Sequence, residues 1–416
     1  MKLKLTFYYF FTLGFVLNSF SQQKIFEFKN FTQENGLPGN ECYFIYRDSR
    51  DFLWISTEDG IVRYNGSRME YFDLPDNVIF KIREDNIGRV WFFSHTGKLS
   101  YFYNEAIHPY AYNDSITKYC KNLLITDAYV KDNGDIIINS GRFENYKISA
   151  KGIVEHVNLY DIEPNAHARI RIDQIGKNIF FSQKEKFHRD HSKNKIIDIV
   201  RVVNGHKVIC QVPVRPEEFS HHGCVSADGK TIYYFLARNL VRLNEDGSFK
   251  VKYFRSNILS CSMATDHTLW VGFMNDGAVL LNDDLEEIND GSVLAEKSIT
   301  SIRKDYEGGT WFSTLEKGVF YLKNSSISLF SGDSILSGPV FRLYNLGDSG
   351  ILFGKYNGVY KLSNNLAHLV MPLNCKKICD LFIDEEKNIY VTGGFLIAGF
   401  PFIAYEKSKD IFFKKV

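Results

Sequence analysis

One pattern recurs along the chain and constrains its fold more than any other feature. Residues 48–64 carry Asp48, Leu53, Trp54, Ser56, Gly60 and Tyr64. The same order returns in residues 85–101 with Asp85, Val90, Trp91, Gly97 and Tyr101. Residues 266–281 repeat it around Trp270 and Gly277, and residues 305–321 around Asp305, Trp311, Gly318 and Tyr321. All four tryptophans of the chain stand at one repeat position. Weaker copies put Ile137, Phe180, Tyr233, Leu352 and Tyr390 there, four of them behind a turn that holds Asp132, Asp228, Asp348 or Asp384. Successive signals at 54, 91, 137, 180, 233, 270, 311, 352 and 390 lie 37, 46, 43, 53, 37, 41, 41 and 38 residues apart. A period of about 40–50 residues is that of four-stranded propeller blades.

The chemistry of one repeat agrees with that period. Residues 41–47 and 52–56 read as strands joined by a polar turn, with Leu53 and Ile55 on one face and Trp54 and Ser56 on the other. Gly60 closes the next reversal, where a residue free to take positive φ is needed. Residues 61–64 run back, Asn65 and Gly66 turn the chain again, and residues 69–72 complete four strands. Such a sheet cannot bury both faces alone, whereas radial stacking covers each sheet with its neighbour. A sandwich would not repeat a tryptophan and a turn at near-constant spacing, and a helical solenoid would show a 3.6-residue apolar period that is absent here. The expected fold is all-β, a β-propeller of about nine four-stranded blade repeats. Seven signals end near Asn324 and suffice for one ring (residues 22–330), leaving two repeats (331–416) to start a second, incomplete one. A single larger ring is the alternative.

Composition narrows the function. Fifty Lys and Arg against 49 Asp and Glu leave a net charge of +1, which argues against nucleic acid as a partner. Aromatic residues make up 15% of the chain and suit strands. Lys2 and Lys4, an apolar run over residues 5–17, and Ser19 and Ser21 read as a signal peptide (residues 1–21), cut ahead of Gln22. The expected location is periplasmic or secreted. Residues 390–405, interrupted by Pro401 and three glycines, are too short for a second span. The seven cysteines at 42, 120, 210, 224, 261, 375 and 379 are too scattered for a disulfide scaffold. Cys375 and Cys379 would lie about 13 Å apart on a strand, beyond disulfide reach unless that segment is looped or helical.

The residues also carry a resemblance. Phe31, Gly36, Leu37, Pro38 and Asn40, followed by Ile45, Asp48, Leu53, Trp54, Ile55, Gly60, Arg63, Tyr64, Gly66 and Phe72, resemble the two-component regulator propeller repeat. The likeness spans most of residues 24–400, strongest around Trp54, Trp91, Trp270 and Trp311 and diffuse over 105–250, where family-variable loops are expected. The resemblance implies the extracytoplasmic sensor half of a Bacteroidetes-type histidine kinase or hybrid two-component system. Such a sensor is followed in its family by a small β-sandwich, a membrane helix and a kinase. It also implies a small-molecule or oligosaccharide ligand, a homodimer, and a membrane kinase portion acting in cis or in trans. These 416 residues show neither the sandwich, the membrane helix nor the kinase, so no kinase activity is assigned to them. The repeat residues transfer a structural role and no catalytic one.

Other chemical candidates are weaker. His188 and His191 flank Asp190 but sit among Lys184, Lys186, Lys193 and Lys195, as in a solvated basic loop. His221, His222 and Cys224 could ligate a transition metal, although a loop before the Asp228 turn accounts for them. The segment from Asp305 to Trp311 resembles a sialidase Asp-box with one residue too many, itself a structural turn. No catalytic, cofactor or metal residue is therefore assigned, and no residue marks the ligand. The expected function is a ligand-sensing input module. A stand-alone secreted binding propeller, or a glycan-active or lyase enzyme, is the alternative, since propellers host all of these.

Overall fold

The computed structural model describes residues 24–120, 125–140, 145–156, 169–175, 178–184, 195–203, 206–214, 222–225, 230–288, 291–323, 329–330, 338–363, 366–373, 377–384, 388–394, 396–397, 400–401 and 404–407. The predicted signal peptide lies outside them, as do His188, His191, His221 and Cys375. The chain divides into two units, one over Phe26–Ile327 and one drawing on segments at both ends of it.

Among the described residues the larger unit holds seven antiparallel sheets. The first runs Cys42–Arg47, Leu53–Thr57, Gly60–Tyr64 and Met69–Phe72, each strand paired with the next. These four strands match the repeat read above to within a residue or two. The same meander forms the second sheet from Ile79–Glu84, the third from Ile125–Val130, the fourth from Arg169–Ile175 and the fifth from His222–Val225. Ile258–Thr265 begins the sixth, which has three strands, and its Ala278–Asn282 strand bridges to Val293 and Glu287. The first strands of successive sheets run side by side, and Ile299–Lys304 of the seventh lies beside Cys42–Arg47 of the first, so the inner strands close a circuit.

Closure is made from the N-terminal side. The seventh sheet takes Ile299–Lys304, Thr310–Thr314 and Val319–Leu322 from one end of the unit and Lys29–Phe31 from the other. Phe31, almost fully buried, packs its ring on Trp311 at 5.2 Å and on Tyr64 at 5.9 Å, and so joins the seventh sheet to the first. Gly318 sits at φ +72°, and a Cβ there would come within 2.1 Å of the Phe31 carbonyl oxygen, so the closing strand requires glycine.

Between neighbouring sheets the packing is apolar. Trp54 meets Phe92 and Phe102 of the second sheet, and Trp270 meets Phe312 of the seventh. Each aromatic of this size removes about 150–250 Å² from water, and rings across adjacent sheets bury what a lone sheet would expose. The described part of the stretch of diffuse repeat includes a short helix, Asn113–Tyr119, which buries its Ile116.

The smaller unit contains a four-stranded sheet (Arg342–Asn345, Ile351–Lys355, Gly358–Ser363, Leu366–Pro372) and a three-stranded one (Lys377–Ile383, Ile389–Gly394, Ala404–Lys407). Lys24–Ile25 pairs with Leu329–Phe330 in the same unit. Leu352, Val359, Met371, Ile378, Leu381, Ile389 and Val391 form its core.

Candidate functional site

The signature residues of the repeat meet at the turns. Trp54 donates its indole N–H to Asp48 Oδ2 at 2.8 Å, while Asp48 Oδ1 accepts the amides of Arg50 and Phe52. Trp91 donates to Asp85 Oδ2 at 2.8 Å, and Asp85 Oδ1 accepts from Ile87 and Arg89. Trp311 donates to Asp305 Oδ2 at 3.0 Å, with Gly309 donating to Oδ1. Each aspartate thereby satisfies turn amides that would otherwise be orphaned beside a buried indole. Gly60, Gly97, Gly277 and Gly318 all take positive φ in the following turns.

Trp270 departs from this rule. Asp266 precedes it by four residues instead of six, and Ala264 occupies the six-residue position. Among the described residues the buried indole nitrogen has no acceptor, although the ring itself packs on Phe26 and Phe312. In the smaller unit the six-residue rule returns: Tyr390 donates its hydroxyl to Asp384 Oδ2 at 2.9 Å, and Asn388 donates its amide to Oδ1.

The inner strands carry a second recurring feature that the sequence reading missed. Each of five slips register one residue past its start, between Cys42 and Phe44, Ile79 and Lys81, Ile125 and Asp127, Ile258 and Ser260, and Ile299 and Ser301. Such bulges re-aim side chains at the rims of barrels and beside binding sites. Tyr43 and Phe80 occupy two of them, with ring centroids 5.0 Å apart, and Phe80 lies 4.6 Å from the His95 ring. Hydroxyls bridge the sheets here: Ser56 donates to the Ile79 carbonyl, Ser260 to Ile299 and Thr300 to Cys42.

Beyond the bulges, charged groups from different sheets converge. Asp127 Oδ1 lies 2.9 Å from Lys81 Nζ and 3.3 Å from Arg83 Nη2, and it also accepts the Ala128 amide. Burial alone would raise the Asp127 carboxyl, but Lys81 and Arg83 beside it hold it below the usual carboxylate range. From the seventh sheet Arg303 donates Nε–H to the Ile45 carbonyl at 3.1 Å. Both Arg303 and Lys81 lie over the Phe44 ring, at 5.4 and 5.3 Å. Burial, reinforced by the like charge of Arg83, lowers the Arg303 guanidinium to about 10. No sequence motif marks this cluster, because its members come from three different repeats, Lys81 and Arg83 from one, Asp127 from the next and Arg303 from the far end of the unit.

A cavity of about 320 Å³ opens elsewhere, lined by Thr231, Tyr233, Arg242, Met263, Asp266, His267 and Asp283. Asp283 Oδ2 lies 2.7 Å from His267 Nδ1, and its Oδ1 accepts the Tyr233 hydroxyl at 3.0 Å.

Of the remaining candidates, His222 and Cys224 fall in the strand His222–Val225, whose described features do not extend to their side chains, and Cys379 falls likewise in Lys377–Ile383. Cys42, Cys120, Cys210 and Cys261 are free thiols. Among the described residues no helix is long and apolar enough to cross a membrane.

Sheets stacked about a closed inner circuit define a β-propeller. The family model of the two-component regulator propeller matches residues 36–59, from the Gly36 turn through Asp48 and Trp54. No curated protein matches the chain. Among solved structures, it is similar over 91% of its length to the extracellular domain of a protein described as hybrid two component system BT3049 of B. thetaiotaomicron (TM-score 0.59, 17% identity, 53% of that chain). A similar likeness links it to the extracellular domain described as one component system BT4673 of the same organism (TM-score 0.54, 14% identity, 91% of this chain and 52% of that one). Virginiamycin B lyase from Staphylococcus aureus shares the fold over 72% of this chain and 99% of its own (TM-score 0.52, 16% identity). The chain spans about half the length of the two extracellular domains it matches.

Proposed function

We propose that this chain is an extracytoplasmic ligand-sensing input module of a two-component signalling receptor, and that its ligand enters the inner circuit at the bulged rim. The observation that carries this reading is the two-component regulator propeller repeat at residues 36–59. The extracellular domains of B. thetaiotaomicron signalling proteins that share the fold support it, as does a leader of the signal-peptide type. The repeat itself is occupied in holding turns, which leaves the unlike residues of the inner strands to recognise a ligand. The membrane helix and kinase belong, in this reading, to a further segment in cis or to a partner in trans.

The test has two arms. The coding frame beyond Val416 is read first, because an in-frame membrane helix and histidine-containing transmitter would tie the module to signalling. Fusion of the chain to a histidine-kinase transmitter then asks whether an added ligand changes phosphorylation, and a transmitter indifferent to every bound ligand would defeat the reading.

A second reading, a propeller lyase or glycan-active enzyme, draws on the cavity where Tyr233, Arg242, His267 and Asp283 meet. A His–Asp pair beside a tyrosine and an arginine holds the acid and base types that such chemistry uses. Turnover of a candidate substrate by the purified chain, abolished in His267→Ala, would favour it over sensing alone.

A further inference from the structure

The inner-strand positions paired with the tryptophan position hold Tyr46, Arg83, Tyr129, Asp173, Val225, Ser262 and Arg303, and the channel positions two residues earlier hold Phe44, Lys81, Asp127, Arg171, Gly223, Ser260 and Ser301. Among those whose side chains are described, the three cations Lys81, Arg83 and Arg303 accompany the one carboxylate Asp127. Asp127 is already committed, since the same oxygen serves Lys81, Arg83 and the Ala128 amide. Arg303 has no carboxylate within ion-pair distance among the described residues. Its Nε is tied to Ile45, its plane lies over Phe44, and neither terminal nitrogen is used by a described group. A like-charged pair in a crowded, partly desolvated channel is unfavourable unless something negative joins it.

A purely structural role does not account for Arg303. Thr300 already ties the seventh sheet to the first through the Cys42 carbonyl at 2.7 Å. In the sixth sheet the position corresponding to Arg303 is Ser262, so a small neutral side chain suffices there. The guanidinium supplies something beyond closure: a planar pair of donors suited to two oxygens of one anionic group.

We infer that the inner channel is a binding site for an oxyanion, a carboxylate or phosphate group of the ligand, held by Arg303 with Arg83 and Lys81 around it and Phe44 beneath. The ligand class is therefore acidic, and this deepens, and rests on, the reading of the chain as a binding module.

The test uses the full chain at low ionic strength, titrated calorimetrically with inorganic phosphate, with malonate and with neutral glucose in separate runs. The two anions distinguish a phosphate site from a carboxylate site, and saturable binding of either one supports the inference. Arg303→Gln is expected to weaken it at least about tenfold, and added sodium chloride to weaken it further, while exposed Lys250→Gln leaves it unchanged. Equal affinity in native protein and Arg303→Gln, or no saturable anion binding, overturns the inference. Should Arg303→Gln fail to fold, native crystals soaked in bromide decide: an anomalous peak beside the Arg303 guanidinium supports the site, and an empty channel removes it. Saturable binding of glucose untouched by Arg303→Gln would overturn the acidic class and leave sensing standing. Anion binding that never alters a fused transmitter would do the reverse.

Discussion

The turns of this propeller and its inner strands come from the same repeat, yet they use it in opposite ways. At the turns Asp48, Asp85 and Asp305 each accept one indole N–H and one or two backbone amides, with little variation in geometry. On the inner strands, equivalent positions hold an aromatic ring, a lysine, an aspartate and two serines. Both regions bury carboxylates, and the partners tell them apart. Asp85 is surrounded by donors fixed in its own turn, Arg89 among them as an ionic partner, whereas Asp127 is held by Lys81 and Arg83 reaching across from the neighbouring sheet. Sameness builds the ring, and difference gives its centre a chemistry.

The largest effect is expected at the turns. Asp85→Ala removes the acceptor of two amides, the Arg89 guanidinium and the Trp91 indole. Arg89 can turn to solvent, but the indole and its turn cannot, so a loss of about 3 kcal/mol is expected. Urea denaturation measures it. A variant as stable as the native chain would mean that the turn carboxylates hold nothing that packing does not already hold.

Asp127→Asn probes the other region and adds a pH signature. The carboxyl is held below its unfolded value of about 3.9, so its contribution is complete above that pH and is lost as pH falls through the lower folded value. The variant is expected to lose about 2 kcal/mol at neutral pH, where Lys81 and Arg83 are left without their carboxylate. In acid the two proteins should converge in urea midpoint. The same change should tighten phosphate or malonate binding, because it removes the negative charge nearest the three cations. A stability gap as wide in acid as at neutrality would show that Asp127 acts by shape and not by charge.

Much of this architecture is legible in the chain, for a physical reason. A structural turn needs the same donors and acceptors every time, so Asp48 and Trp54 recur as Asp85 and Trp91 and as Asp305 and Trp311. Even Tyr390, which replaces a tryptophan, keeps a donor aimed at Asp384. The inner bulges leave no such trace, because Tyr43, Phe80, Leu259 and Thr300 share no chemistry and the slip is a property of backbone pairing. The channel cluster is still less visible: Asp127 meets Lys81 through the stacking of adjacent sheets, and Arg303 joins Lys81 over the Phe44 ring only through closure of the circuit. Closure itself depends on Lys29–Phe31 pairing with Val319–Leu322, a contact across most of the chain that no local pattern announces. The alignment of Asp266 with the other turn aspartates follows the repeat in sequence but not in hydrogen bonding, since two missing residues put it out of reach of its tryptophan's role.

That exception supplies a sharper measurement within the turns. Trp54→Phe leaves Asp48 Oδ2 without its indole donor and is expected to cost about 2 kcal/mol, whereas Trp270→Phe discards a buried N–H that has no acceptor among the described residues and should cost under about 1 kcal/mol. Equal losses would dissolve the distinction between the two kinds of tryptophan.

The smallest expected change asks whether the turn rule extends to the second unit. Tyr390→Phe removes the hydroxyl that donates to Asp384 Oδ2, but that oxygen keeps the Asn388 side-chain amide at 2.7 Å and Oδ1 keeps the Asn388 backbone amide. With the carboxylate still solvated by its own turn, the loss should be about 0.5–1 kcal/mol, well below that of Trp54→Phe. The two positions differ in what the donor is attached to: Trp54 is fully buried and fills the space between two sheets, while Tyr390 is only half-buried. A loss at Tyr390 as large as at Trp54 would place the energy of the motif in the hydrogen bond itself. The smaller loss expected here reflects the Asn388 side-chain amide, which goes on donating to Asp384 Oδ2 when the hydroxyl is gone.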